Sequence, residues 1–360
     1  MKRKRILCIL LAATLALFLA GAPSAVAKEV LHVYNWSDYM DEGPGGPVSV
    51  FEKQTGIEVT YDVFDSNEVL EAKLLAGKTG YDIVFPSNNF IGRQINAGVF
   101  RELDRSKLKN YKHLDKGLLK VLESVDPGNK FSIPYMWGTT GIGYNVKKVQ
   151  AAFGGKAPLD SWDLVFKPEN AAKLKDCGLA LLDDPSEILS VVLHYLGKNP
   201  NSMESSDYTE AALSMLMSIR PSIKYFHSSQ YINDLANGDI CAVIGWSGDI
   251  LQARDRADEA KAGVEVAYSI PKEGAATWFD MIAIPADADN VDNAHKFLDF
   301  LMDPQVIAGI TNYVSYPNGN ADAMQYVDEA IRNDKAIYPS AETMKGLFTM
   351  KVMPPKISRV

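Results

Sequence analysis

Cysteine, histidine and low-complexity sequence are scarce in this chain, and each scarcity removes a class of protein. Of three cysteines, Cys8 lies in an early apolar run, which leaves Cys177 and Cys241. No C-x-x-C occurs, so neither a dithiol redox pair nor a zinc ribbon is expected. The five histidines, at 32, 113, 194, 227 and 295, are scattered, and no two stand at the spacing that places them on one helical face as metal ligands. His227, in YFHSSQY, reads as a structural hydrogen-bonding group and not as a base. GTTGIGYN (138–145) contains glycines but not G-x-G-x-x-G, and GWSGD (245–249) has Asp249 where a nucleophile elbow needs glycine. With no nucleophile–base pair or metal constellation, the expectation is a protein that is not an enzyme and needs neither metal nor cofactor.

Only one long hydrophobic run is present. MKRKR is followed by ILCILLAATLALFLAGA and then PSAVA, with Ala25 and Ala27 at the −3 and −1 positions of a cleavage site. A charged start, an apolar stretch and small residues form an export signal, 1–27, cleaved after Ala27. The run approaches spanning length, so an uncleaved anchor is the alternative; Cys8 lacks the small-residue context of a lipid-bearing cysteine. No later segment is long and apolar enough to cross a bilayer. Losing Lys2, Arg3, Lys4 and Arg5 moves the formal charge from −8 to −12. Such an acidic exported chain repels nucleic acid and anionic lipid and draws cations. In an oxidising compartment Cys177 and Cys241 favour one structural disulfide over two reduced thiols.

The 360 residues, 47% of them hydrophobic, suffice for a large core and two domains. Strand-like runs at 30–35, 57–64, 81–85, 179–182, 240–245 and 264–270 alternate with helical patterns, two of which close at Gly56 and Gly77. That alternation predicts an α/β fold of parallel sheets covered by helices. No repeat and no flexible joint divides the chain, so two lobes would be connected by short crossings, placed near 134–138 and 269–271. In open parallel sheets, ligands lie beyond the carboxyl ends of the strands.

The residues at those ends form a pattern. Trp36, Ser37, Asp38 and Tyr39 follow the first strand, and Pro86 and Ser87 follow YDIVF. Asp183, Asp184 and Glu187 follow LALL; Trp246, Ser247, Gly248 and Asp249 follow ICAVIG; Trp278 and Asp280 share one face of WFDMIAIP; Tyr313 and Tyr316 come last. Singly, an Asp here is a helix cap and a Trp is core. Three Trp–Asp pairs drawn from only five tryptophans suggest one purpose, since a cap needs no indole beside it. Carboxylates set apart by aromatic walls suit a flexible chain with an ammonium at each end. A buried ammonium requires an acid partner, a broken pair costing about 3–5 kcal/mol, whereas each aromatic face contributes about 0.5–2 kcal/mol. An amino acid would call for an arginine at a strand end; the nearest, Arg93, reads as a helix-surface residue.

YNWSDY, YDVFDSNEVLEAKLLAGKTGYDIVFPS, IPYMWGTTGIGYN, YFHSSQYINDLANGDICAVIGWSGD and SIPKEGA together resemble the periplasmic polyamine-binding proteins of bacterial ABC transporters, over nearly the whole mature chain. The resemblance implies a type II periplasmic-binding fold: two Rossmann-like α/β lobes, joined by a hinge, with the ligand cleft between them. It implies lobes at 28–135 plus 270–315 and at 136–269 plus 316–360. By the same resemblance Trp36, Ser37, Asp38, Tyr39, Ser87, Glu187, Trp246, Asp249, Trp278, Asp280 and Tyr316 stand at ligand positions, and Cys177 and Cys241 match a disulfide. Trp278, where putrescine-preferring members carry Phe, tilts the expectation to spermidine over putrescine. The Gly/Pro-rich MDEGPGGPV after Tyr39 is longer than is usual, and Ser186 stands where an acid is common. A monomer in the periplasm, serving an inner-membrane ABC permease, is implied; a polyamine sensor for a membrane receptor is the alternative.

Overall fold

The computed structural model describes residues 28–360; the expected export signal at 1–27 lies outside them. Branched and aromatic residues build the first strands. Strand β1 (Val30–Trp36) is nearly all buried, as VLHVYNW requires of a strand covered on both faces. Helix α1 (Pro47–Thr55) ends at Gly56 in the left-handed region, φ 77°, which glycine adopts without steric penalty. Strand β2 (Glu58–Phe64) takes the sheet edge and is exposed along much of its length. Helix α2 (Asn67–Ala76) is capped by Ser66, which accepts from the Val69 N–H, and it closes at Gly77. Strand β3 (Ile83–Val84) pairs parallel with β1 and leads into α3 (Asn88–Asn96).

Two strands then cross the middle of the molecule. These are β4 (Ser132–Asn145) and, much later in the chain, β9 (Ala276–Ala283), and they pair antiparallel. The early part of β4, Ser132 to Pro134, meets Ala283 to Met281, and the register shifts before pairing resumes at Trp137. Proline cannot donate to the ladder, which accounts for an irregularity at this point. Beyond it, β4 pairs with a second group of strands. That group contains β5 (Leu179–Leu181), followed by α4 (Pro185–Tyr195), then β6 (Ile223–Phe226) followed by α5 (Gln230–Asn237). Strand β7 (Ala242–Trp246), followed by α6 (Ser247–Ala260), and β8 (Val266–Ser269) complete it.

The order β2-β1-β3-β9-β4-β7-β5-β6 makes one ten-stranded sheet in which β8 joins β4 and β10 (Phe348–Thr349) joins β9. Parallel pairing joins β2, β1 and β3 on one side and β7, β5 and β6 on the other, whereas the pairs β3–β9, β9–β4, β4–β7 and β4–β8 are antiparallel. The expectation of parallel sheets throughout is therefore corrected at the centre, where chain crossings replace helical returns. The result is the mixed α/β, two-lobe type II architecture, with β4 and β9 common to both sides. Among the described residues no helix is long and apolar enough to cross a membrane.

Cys177 and Cys241 form a disulfide, with Cα atoms 5.4 Å apart, that joins the turn before β5 to the start of β7. It closes a separation of 64 residues, for which loop entropy corresponds to about 4 kcal/mol. The paired variant Cys177→Ala/Cys241→Ala is expected to lose about 2–4 kcal/mol in urea unfolding while ligand affinity stays within twofold, because neither sulfur borders the cleft described below. An unchanged unfolding midpoint contradicts that assignment.

Candidate ligand-binding site

The loops at the carboxyl ends of β1, β3, β5 and β7 converge on the side of β9, as strand ends do where two α/β units meet. Asp280 lies within β9 and is 3% exposed. Its carboxylate accepts from the Ser87 hydroxyl at 2.5 Å and the Tyr39 hydroxyl at 2.8 Å. Asn67 fixes Ser87 in turn, donating to its hydroxyl at 2.9 Å and accepting from its N–H at 3.1 Å. Burial pushes the Asp280 carboxyl up to about 7, against the pull of those two hydroxyls.

Asp249 occupies the first turn of α6 and accepts from the hydroxyls of Tyr231 and Tyr316, each at 2.7 Å. Burial again dominates and raises it to about 7. Glu187, in the first turn of α4, accepts from the Trp246 indole N–H at 3.0 Å through one oxygen, while its other oxygen is buried with no partner. Burial, and next the nearby Asp184 charge, raise its pKa well above the ordinary value. Asp184 caps α4 by accepting from the Glu187 N–H at 3.0 Å; burial, then the Glu68 charge, raises it to about 7.

Between the acids runs a belt of rings in edge contact. Trp36 meets Trp246 at 5.5 Å between centroids, Trp246 meets Trp278 at 6.4 Å, Trp278 meets Tyr316 at 5.4 Å and Tyr316 meets Tyr39 at 5.1 Å. Two glycines permit this closeness. A Cβ on Gly248 would lie 2.4 Å from the Tyr316 ring, and one on Gly138 would lie 2.7 Å from Trp278. The Trp278 indole nitrogen is buried without a partner, a donor with nothing in the protein to receive it.

These groups line a narrow cleft with about 30 Å³ of free space, walled by fourteen residues. Four of the fourteen are acids, Asp184, Glu187, Asp249 and Asp280, and none is Lys, Arg or His. Ten of the eleven residues singled out in the sequence line it: Trp36, Ser37, Tyr39, Ser87, Glu187, Trp246, Asp249, Trp278, Asp280 and Tyr316. Asp38 does not. Its backbone turns at φ 54°, and its carboxylate is engaged by Arg256 of α6 at 2.6 Å, with Gln252 donating to its carbonyl at 3.1 Å. In this structure the Asp38 carboxylate is paired with a side chain of the protein and lies outside the cleft wall.

Asn67, Asn89 and Met350 also line it and escaped the sequence reading, whereas Asp184 was noted at its strand end but not among the eleven. Asp184 stood in the right strand-end run, but Asp-Pro before a helix reads as an N-cap, which it also is. Asn67 and Asn89 open helices, and Met350 follows the short β10; only tertiary packing brings them here. Among the described residues no group of three or more His, Cys, Asp or Glu is placed to hold a metal ion.

Comparison with known proteins agrees with this geometry. Residues 48–339 match the family model for bacterial extracellular solute-binding proteins. The chain is 58% identical over 350 residues to the putrescine-binding periplasmic protein SpuD of Pseudomonas aeruginosa (strain UCBPP-PA14), covering 97% of this chain and 94% of that one. To the putrescine-binding periplasmic protein PotF of Escherichia coli K12 it is 57% identical, over 93% of this chain and 90% of that one. Among solved structures, the spermidine/putrescine ABC transporter substrate-binding protein PotD of Streptococcus pneumoniae superposes with a TM-score of 0.72 at 32% identity, covering 92% of this chain and 95% of the other. The fold, the strand-end cavity and these matches together make the chain a member of the bacterial extracellular solute-binding proteins, grouped there with the periplasmic polyamine-binding components of ABC transporters.

Proposed function

We propose that the protein captures a linear polyamine in the periplasm and delivers it to an inner-membrane ABC permease, without catalysis. The observation that carries this reading is a cleft with four buried acids and no basic side chain in its wall. Without a counter-cation, burial drives such carboxyls toward their neutral forms. An incoming ammonium reverses that by supplying the missing charge, and the flat indole and phenol faces cover the methylenes between nitrogens. An amino acid brings a carboxylate of its own, which four acids oppose.

The proposed binding set comprises the ten lining residues predicted from the sequence together with Asp184. Asp280 and Asp249 are the two principal ammonium partners; Glu187 and Asp184 serve a further nitrogen; the four rings of Trp36, Trp246, Trp278 and Tyr316 set length and shape. Closure joins a lobe built on 28–135 and 270–315 to one built on 136–269 and 316–360, and the bridges of Asn320 to Leu114 and Asn318 to Met136 tie the last stretch to both. The pneumococcal structure is that of an ABC transporter substrate-binding protein, which favours delivery to a permease over delivery to a sensor.

Spermidine is the ligand we favour, because three nitrogens use an acid set larger than two and Trp278 extends the aromatic wall. Putrescine is the second reading, favoured by the names of the relatives at 57 and 58% identity. Titration calorimetry with spermidine, putrescine and glutamate is expected to show amines bound and glutamate not, and glutamate as the best ligand rejects the scheme. Asp249→Asn is expected to weaken amine binding at least tenfold, since breaking a buried ion pair costs about 3–5 kcal/mol; unaltered affinity removes Asp249 from the site. Trp278→Phe is expected to shift the spermidine-to-putrescine ratio toward putrescine, and an unmoved ratio assigns Trp278 to packing alone.

A further inference from the structure

A second chamber of about 210 Å³, open to solvent, adjoins the inner cleft, and Asn89 and Met350 line both. Three helix starts meet there and contribute Glu68 from α2, Asn89 from α3 and Ser186 from α4. Ser186 donates to one oxygen of Glu68 at 2.9 Å, yet the other oxygen, Oε2, is buried with no partner. Asn89 is only 6% exposed, and its Oδ1 likewise accepts nothing. Two buried acceptors without a donor, in one chamber, are a deficit that an ammonium with three N–H groups would fill.

The basic residues of this chamber do not fill it. Arg93 is held by Glu71 through two hydrogen bonds at 2.6 and 2.8 Å. Lys351 is exposed and makes no ion pair among the described residues. Phe90, Leu189 and Met353 give the same chamber an apolar wall, as a polymethylene segment requires.

We propose that Glu68 Oε2 and Asn89 Oδ1 form an outer ammonium subsite, which takes the outermost nitrogen of a linear polyamine too long for the inner cavity. The amine leaves the inner cavity between Asn89 and Met350, and its remote end rests against α2 and α3. This subsite rests on the polyamine reading of the inner site and extends it to tetra-amines. It also gives Ser186 a role: a hydroxyl there holds Glu68 in place, whereas an acid would repel it.

Titration of the mature chain with putrescine, spermidine and the linear tetra-amine spermine tests the assignment. Glu68→Gln is expected to weaken spermine roughly tenfold, as for a partly buried ion pair, and to leave putrescine within about twofold. Ser186→Ala removes the hydroxyl that holds Glu68 in place and is expected to weaken spermine severalfold, less than Glu68→Gln does, while leaving putrescine within about twofold. If Glu68→Gln fails to fold, Asn89→Ala serves with the same expected selectivity for spermine. An equal effect on all three amines, no effect on spermine, or a wild type that binds putrescine but not spermine overturns the outer subsite and leaves the inner site standing. A wild type that binds no amine overturns the inner reading, and the outer subsite with it.

Discussion

Four buried carboxyl groups lining one cleft with no basic side chain in its wall is the constraint on which the rest of this structure depends. A buried charge is tolerated only when paired or richly hydrogen-bonded. Here the protein supplies part of the solvation. Tyr39 and Ser87 donate to Asp280, Tyr231 and Tyr316 donate to Asp249, and Trp246 donates to Glu187. These donors orient the acids and lower their pKa values, but burial outweighs them and Asp249 and Asp280 remain near 7. On the proposed function, positive charge from outside completes this arrangement.

The fold makes that arrangement available. Strands β4 and β9 run through the centre, so a residue within β9, Asp280, stands beside loops that end strands of both outer groups. The glycines at 138 and 248 remove the atoms that would hold Trp278 and Tyr316 off the backbone. The aromatic belt and the acids consequently occupy one narrow cleft, where the rings exclude water and strengthen each ion pair made inside. Arg256, engaged with Asp38 across the rim, anchors the turn after β1 to α6 without placing a cation in the cavity.

Much of the site was legible because it follows a local rule. Each Trp–Asp pair falls at a strand end or on one strand face, and for Trp246–Asp249 and Trp278–Asp280 that sufficed. Helix ends at Gly56 and Gly77 were legible for the same reason, since a left-handed stop favours glycine. Asp38 shows where the rule runs out. Its neighbours Trp36, Ser37 and Tyr39 line the cavity, but a positive φ and a distant arginine redirect its own carboxylate. Nothing within a few residues of Asp38 reports Arg256. Asp184 shows the converse: a residue with an adequate local role, capping α4, also borders the cleft. The antiparallel crossing at the centre was equally hidden, because pairing direction is a property of two strands far apart in the chain.

Proton release on binding tests the central claim most directly. An amine nitrogen, with an ordinary pKa near 10.4 for a lysine-like ammonium, arrives already charged at neutral pH. Asp249 and Asp280, raised by burial to about 7, are partly protonated at pH 7, and on the proposed function a bound cation expels those protons. Affinity therefore rises as pH increases through about 7, and binding at pH 7 releases protons to the buffer. Calorimetry of spermidine binding at pH 7 in buffers of different ionisation enthalpy is predicted to show net proton release on the order of one per molecule bound, reduced by Asp249→Asn. Binding with no proton exchange, or with uptake, would contradict the account.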